Sequence, residues 1–106
     1  MAGSRKLVWF VPPSHLDATR DAVFAAGAGR IGDYERCSWS TSGEGTFRGG
    51  HGTRPAVGKA GRDETVTELR VETVVPAGRL DAVLEALRAA HPYEEPAYDV
   101  YERVEP

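Results

Sequence analysis

Hydrophobic and polar positions along this chain follow two alternating periods. Lys6 to Pro12, KLVWFVP, is a short apolar run closed by two prolines, which predicts a buried strand ending where the backbone has no further N–H to donate. Leu16, Val23, Phe24 and Ala26 then fall at helical spacing, with the Thr19 methyl at i+3, so an amphipathic helix follows. Ser14 stands where its N-cap belongs, and Asp17 suits the positive end of the helix dipole. DYERCSWST, from Asp33 to Thr41, is rich in aromatic and hydroxyl residues and reads as a second strand, with Cys37 as a small core residue inside it.

TVTELRVETVVP alternates cleanly. Leu69, Val71, Thr73 and Val75 point one way and Glu68, Arg70 and Glu72 the other, until Pro76 ends the strand. Leu80, Val83, Leu84, Leu87 and Ala90 line one face of a second helix that Pro92 stops at His91. A closing strand sets Tyr98, Val100 and Val104 against Ala97, Asp99, Tyr101 and Arg103. The order is β-α-β-β-α-β. With right-handed crossovers this gives an α+β, ferredoxin-like domain, a four-stranded antiparallel sheet with both helices on one face. The other face, carrying Trp39 and Tyr101, is left to meet another subunit or a ligand.

Between the second and third strands, residues 41–64 hold most of the glycines and little apolar sequence, and read as a long Gly-rich loop with a functional role. The other glycine cluster, GAGRIG from Gly27 to Gly32, spells G-x-G-x-x-G. It follows a helix instead of opening one, so its glycines serve the helix C-cap and the turn beyond, with no nucleotide implied.

At 106 residues the chain reads as one domain, 1–106, of ordinary globular composition. With 13 basic and 16 acidic residues, a net charge of -3 argues against nucleic acid as a partner. No apolar run reaches the ~20 residues of a membrane span, one cysteine allows no internal disulfide, and LVWFV is too short for a signal segment, so the expected location is cytoplasmic.

Two segments carry candidate chemistry. In HPYEEPAYD, His91, Glu94 and Glu95 are residue types that ligate a divalent cation. The competing reading, which the spacing favours, has His91 capping the second helix and the glutamates solvated, because adjacent glutamates do not converge on one site on an ordinary backbone. STSGEGTFRGGHGTRP is either an anion cradle, with Arg48, Arg54, Lys59 and Arg62 as charge partners, or a mobile hairpin arm kept soluble by charge. His51 is a candidate fourth metal ligand. No nucleophile elbow is present and no catalytic residue is assigned.

GAGRIGDYERCSWSTSGEGTFRGGHG, ELRVETVVP and HPYEEPAYDVY together resemble the YqfO-type domain inserted in the dinuclear-metal family named GTP cyclohydrolase type 2. The same domain is similar to CutA, the divalent-cation tolerance protein that shares an HPYE-x-P turn, and more distantly to PII signalling proteins. The family's metal-binding residues lie in flanking domains, so its enzyme activity is not carried over to this segment. Where the family commonly continues GEGTFR with proline, glycine, glutamate and glycine, this chain has Gly49, Gly50, His51 and Gly52. The resemblance implies a non-catalytic regulatory module, a homo-oligomer and typically a trimer. It places a small ligand at Gly43, Glu44, Gly45, Arg48 and Tyr93, or a divalent metal at His91, Glu94, Glu95 and His51 as in CutA. A hydrolase of nucleotide derivatives is the remaining alternative.

Overall fold

The computed structural model describes residues 3–56 and 58–104. Strand β1 (Arg5–Val11) leads through a 3-10 turn (Pro13–His15) into helix α1 (Leu16–Ala25); strands β2 (Ser38–Arg48) and β3 (Asp63–Val75), helix α2 (Leu80–Ala90) and strand β4 (Tyr98–Glu102) follow. The sheet order is β2-β3-β1-β4 and every neighbouring pair is antiparallel, the ferredoxin-like arrangement expected.

The core forms on the helical face. Leu7, Trp9 and Val11 of β1 and Val71 and Val75 of β3 pack with Val23 of α1 and Val83 and Leu87 of α2, all fully buried. These are the residues that the period of two in the strands and 3.6 in the helices places inward. Thr19 contributes more than the methyl that its spacing suggests. Its hydroxyl accepts the Trp9 indole N–H at 3.1 Å and donates back to the His15 and Leu16 carbonyls, at 2.8 and 3.1 Å. The polar edge of a fully buried tryptophan is thereby satisfied inside the core.

Several boundaries differ from the expected ones. Ser14 does not cap α1; Pro12 and Pro13 start a 3-10 turn first, His15 takes the cap position, and Ser14 Oγ pairs with His15 Nδ1 at 2.8 Å. Asp33 to Cys37 are outside β2. Cys37 is a half-buried clamp whose N–H donates to Gly29 O at 2.8 Å and whose carbonyl accepts from the Thr73 hydroxyl at 2.7 Å. Val104 lies beyond β4 and is 95% exposed. After α1, Ala28 N–H reaches back to Val23 O and Gly27 N–H to Phe24 O, a Schellman closure with Gly27 at φ +118°. The glycines after α1 do the backbone work expected of them.

The largest correction concerns the loop. Residues 41–48 belong to β2, so the connection is 49–62 and not 41–64. β1 pairs with Leu69–Val75 only, whereas β2 runs alongside β3 from Asp63 to Thr73. Gly43–Arg48 and Asp63–Glu68 therefore form a two-stranded arm beyond the end of β1. Among the described residues, no helix is long and apolar enough to cross a membrane.

The Trp9–Thr19 contact yields a test. Thr19→Val keeps the side-chain shape but removes the oxygen, leaving a buried N–H unpaired; urea unfolding should report a loss of about 1–3 kcal/mol. An unchanged midpoint would show that the indole N–H finds equivalent partners elsewhere.

Candidate functional site

The turn after α2 is fixed by its histidine. His91 is 7% exposed and ends α2 with extended backbone, as the residue before a proline prefers. Its Nε2–H donates to the Phe10 carbonyl at 2.6 Å, and its Nδ1 accepts the Tyr93 N–H at 3.1 Å, which defines the tautomer. Phe10 N–H donates in turn to Ala97 O at 3.2 Å, so the last peptide groups of β1 hold both ends of the turn. Burial pushes the His91 pKa below the usual histidine range, offset in part by the bond to Phe10.

This clamp sets Tyr93 against the arm. Its ring lies 5.0 Å from the His91 ring and 6.5 Å from that of Phe47, tilted 48° to the latter. Between arm, loop and turn lies a cavity of about 300 Å³ bordered by Gly45, Thr46, Phe47, Gly49, Thr53, Pro55, Ala56, Glu68, Tyr93, Glu94, Glu95 and Ala97. The Tyr93 hydroxyl is buried and has no hydrogen-bond partner among the described residues. Glu68 lies across Gly45 so closely that a Cβ there would sit 2.1 Å from its Oε1. Gly45 is thus required for room, not for an unusual backbone angle. Burial raises the Glu68 pKa, and burial together with the Glu68 charge raises that of Tyr93. A cleft bordered by two groups with shifted pKa values is where binding chemistry concentrates.

Of the residues named from sequence, the fold brings Gly45, Tyr93, Glu94 and Glu95 to this cavity. Both adjacent glutamates border it and both are exposed, as the solvated reading has them. Gly43 and Glu44 lie on the exposed arm outside it, Arg48 pairs with Asp63 at 2.7 Å, and His51 is exposed in the loop. His91 neither faces the cavity with a free nitrogen nor caps α2 with its ring. Among the described residues, no group of three or more His, Cys, Asp or Glu is placed to hold one metal ion. Arg62 pairs with Glu64 at 2.7 Å, and the Arg54 and Lys59 N–H groups point at Glu94 and Glu64. Sequence reasoning missed Phe47 and Glu68. The hairpin register, which sets Glu68 opposite Gly43 and diagonal to Gly45, was the signal available for Glu68.

A second, polar hollow at Asp17, Arg20, Asp21 and Arg36 has its charges paired among themselves, Arg20 with Asp17 and Arg36 with Asp21. On the sheet face away from the helices, Glu72 binds Lys6 at 2.9 Å and Arg70 at 3.1 Å, which lowers its pKa. By register Trp39 lies opposite Glu72 and Tyr101 opposite Lys6, and both rings are more than half exposed.

No family model matches the chain. It is 54% identical over 101 residues to the GTP cyclohydrolase 1 type 2 homolog of Mycobacterium tuberculosis, covering 95% of this chain and 27% of that protein. A Bacillus cereus protein related to NIF3 superimposes with TM-score 0.82 at 43% identity, over 96% of this chain and 26% of that one. CutA from Synechococcus elongatus matches with TM-score 0.69 at 22% identity, over 98% of this chain and 80% of its own. GlnK of Bacillus subtilis, in complex with ATP, matches with TM-score 0.64 at 13% identity, over 98% of this chain and 86% of its own. The last two share the fold. The chain spans about a quarter of the length of the curated relatives it matches.

The clamp predicts a pH dependence. Because folding depresses the His91 pKa, the unfolded chain binds more protons just below pH ~6.5, and stability falls as pH drops from there toward the folded value. Denaturant midpoints between neutral and mildly acidic pH should decline more steeply for the native chain than for His91→Gln. Equal slopes would remove the buried neutral histidine from the account.

Proposed function

Since the chain is the counterpart of one segment of the GTP cyclohydrolase 1 type 2 homologues, with the fold of CutA and GlnK, we propose that it is a non-catalytic, self-associating module that binds a small ligand. The observation carrying this reading is the cavity where the arm meets the HPYEEP turn, bordered by Tyr93 and the half-buried Glu68. Its volume is at the lower end of small-ligand pockets. The GlnK neighbour carries ATP in its structure, which supports the use of this fold for holding small molecules.

Self-association is supported by the sheet face opposite the helices. Trp39 and Tyr101 are exposed there and flank a cluster in which Glu72 is paired with Lys6 and Arg70. A homotrimer of this face against neighbouring copies is the arrangement proposed. Light scattering on the sized protein should give a multiple of the chain mass, and Trp39→Asp with Tyr101→Asp should give the monomer. A native protein that is monomeric at high concentration would refute it.

The ligand reading is tested by melting-temperature screening against nucleotides, divalent cations and small organic ions. A ligand at a hundredfold excess over Kd stabilises by about 2.7 kcal/mol. Gly45→Ala displaces only the flexible Glu68 carboxylate, so it should keep its own melting temperature within a few degrees while abolishing the shift. A shift caused by a divalent cation and lost in Glu94→Gln and Glu95→Gln would assign the cavity to a metal. No shift with any probe would overturn ligand binding.

A further inference from the structure

The lining of the cavity states what kind of ligand it takes. Three glutamates border it, Glu68, Glu94 and Glu95, and no lysine or arginine does. Arg48 is paired with Asp63, Arg62 with Glu64 and Arg70 with Glu72. Arg54 meets the site through its backbone N–H, at 3.4 Å from Glu94 Oε1. A phosphate or carboxylate ligand needs cationic side chains or a run of free backbone N–H groups. Where the loop borders the cavity, Thr53 N–H is bonded to Gly50 O and Arg54 N–H points at Glu94, and the charged side chains that line the cavity are all carboxylates.

A single metal ion is disfavoured for a different reason. The glutamates border the cavity at separate places, Glu68 on β3 over Gly45 and Glu94 and Glu95 on the turn. They do not form a cluster of three ligands with each other or with a histidine among the described residues. Spread carboxylates with aromatic rings between them suit a larger cation. The Phe47 and Tyr93 rings stand 6.5 Å apart at the cavity, and such faces attract organic cations as well as apolar groups.

We propose that the cavity between the arm and the turn binds a small organic amine in its cationic form. The ammonium pairs with Glu68, and its apolar part lies against Phe47. This inference rests on the small-ligand reading above and narrows it to one chemical class. It separates this chain from its ATP-bound structural neighbour by the sign of the charge recognised.

The test is a heteronuclear NMR titration of the full chain at low salt with benzylamine, benzyl alcohol, benzoate, ATP and magnesium ion as separate probes. Benzylamine is expected to shift the amides of Gly45, Phe47, Glu68 and Tyr93 and to bind at least about tenfold more tightly than its neutral and anionic analogues, a difference set by one partly desolvated ion pair. Glu68→Gln should weaken benzylamine about tenfold and leave benzyl alcohol unchanged, and added salt should reduce the native protein's preference. Tighter binding of benzoate, ATP or magnesium at these same amides would overturn the amine inference and leave the cavity a ligand site. Shifts at these amides with none of the probes would overturn both readings.

Discussion

The architecture of the site depends on where β1 stops. Pro12 and Pro13 have no N–H to give a neighbouring strand, so the β1 pairing with β3 ends at Val11 opposite Leu69. β3 continues for the residues Asp63–Glu68 with only β2 beside it. A two-stranded ribbon alone in water is marginally stable. Here the turn after α2 packs against the ribbon at the place where β1 would have continued, and the cavity is the space these two surfaces do not fill. Two prolines thus determine both the length of the core sheet and the position of the pocket.

The same strand end supplies the anchor for that turn. At the end of a strand, peptide groups lose their ladder partners, and a buried one must be satisfied in another way. The Phe10 carbonyl takes the His91 ring and its N–H takes Ala97 O. Arg70 lies over the Phe10 ring at 5.7 Å, which ties the open sheet face to the same point. Core, turn and open face therefore meet at one residue, and the arm depends on all three.

Most elements of the fold were legible because their side chains are sorted by burial. Leu69, Val71, Thr73 and Val75 alternate because one face of β3 is dry, and α2 shows its stripe because Val83 and Leu87 enter the core. β2 was legible only at its start. In its arm half only Gly45 and Phe47 are partly covered, too short a span to mark a strand, and Gly43 and Gly45 lack the side chains that would. That segment is a strand because β3 pairs with it, which a pattern within the segment does not record. Ser14 and Cys37 were misplaced for a similar reason. Each has the residue type that suits the assigned role, but Pro13 and the Gly29 backbone claim the local hydrogen bonds first.

The site was legible by composition and not by geometry. HPYEEP and GEGTF were recognisable as unusual segments, and the fold does bring parts of both together. Their residue roles changed because a histidine type suggests a ligand or a helix cap, whereas this one has both ring nitrogens bonded to backbone groups. It acts on the site through Tyr93, whose N–H needs a neutral Nδ1 to accept it. A protonated ring offers no acceptor there, and the Tyr93 N–H would then face a donor. The burial that keeps His91 neutral therefore also keeps Tyr93 at the cavity beside Phe47 and Glu68. A histidine that does not itself border the cavity still holds one of the residues that do.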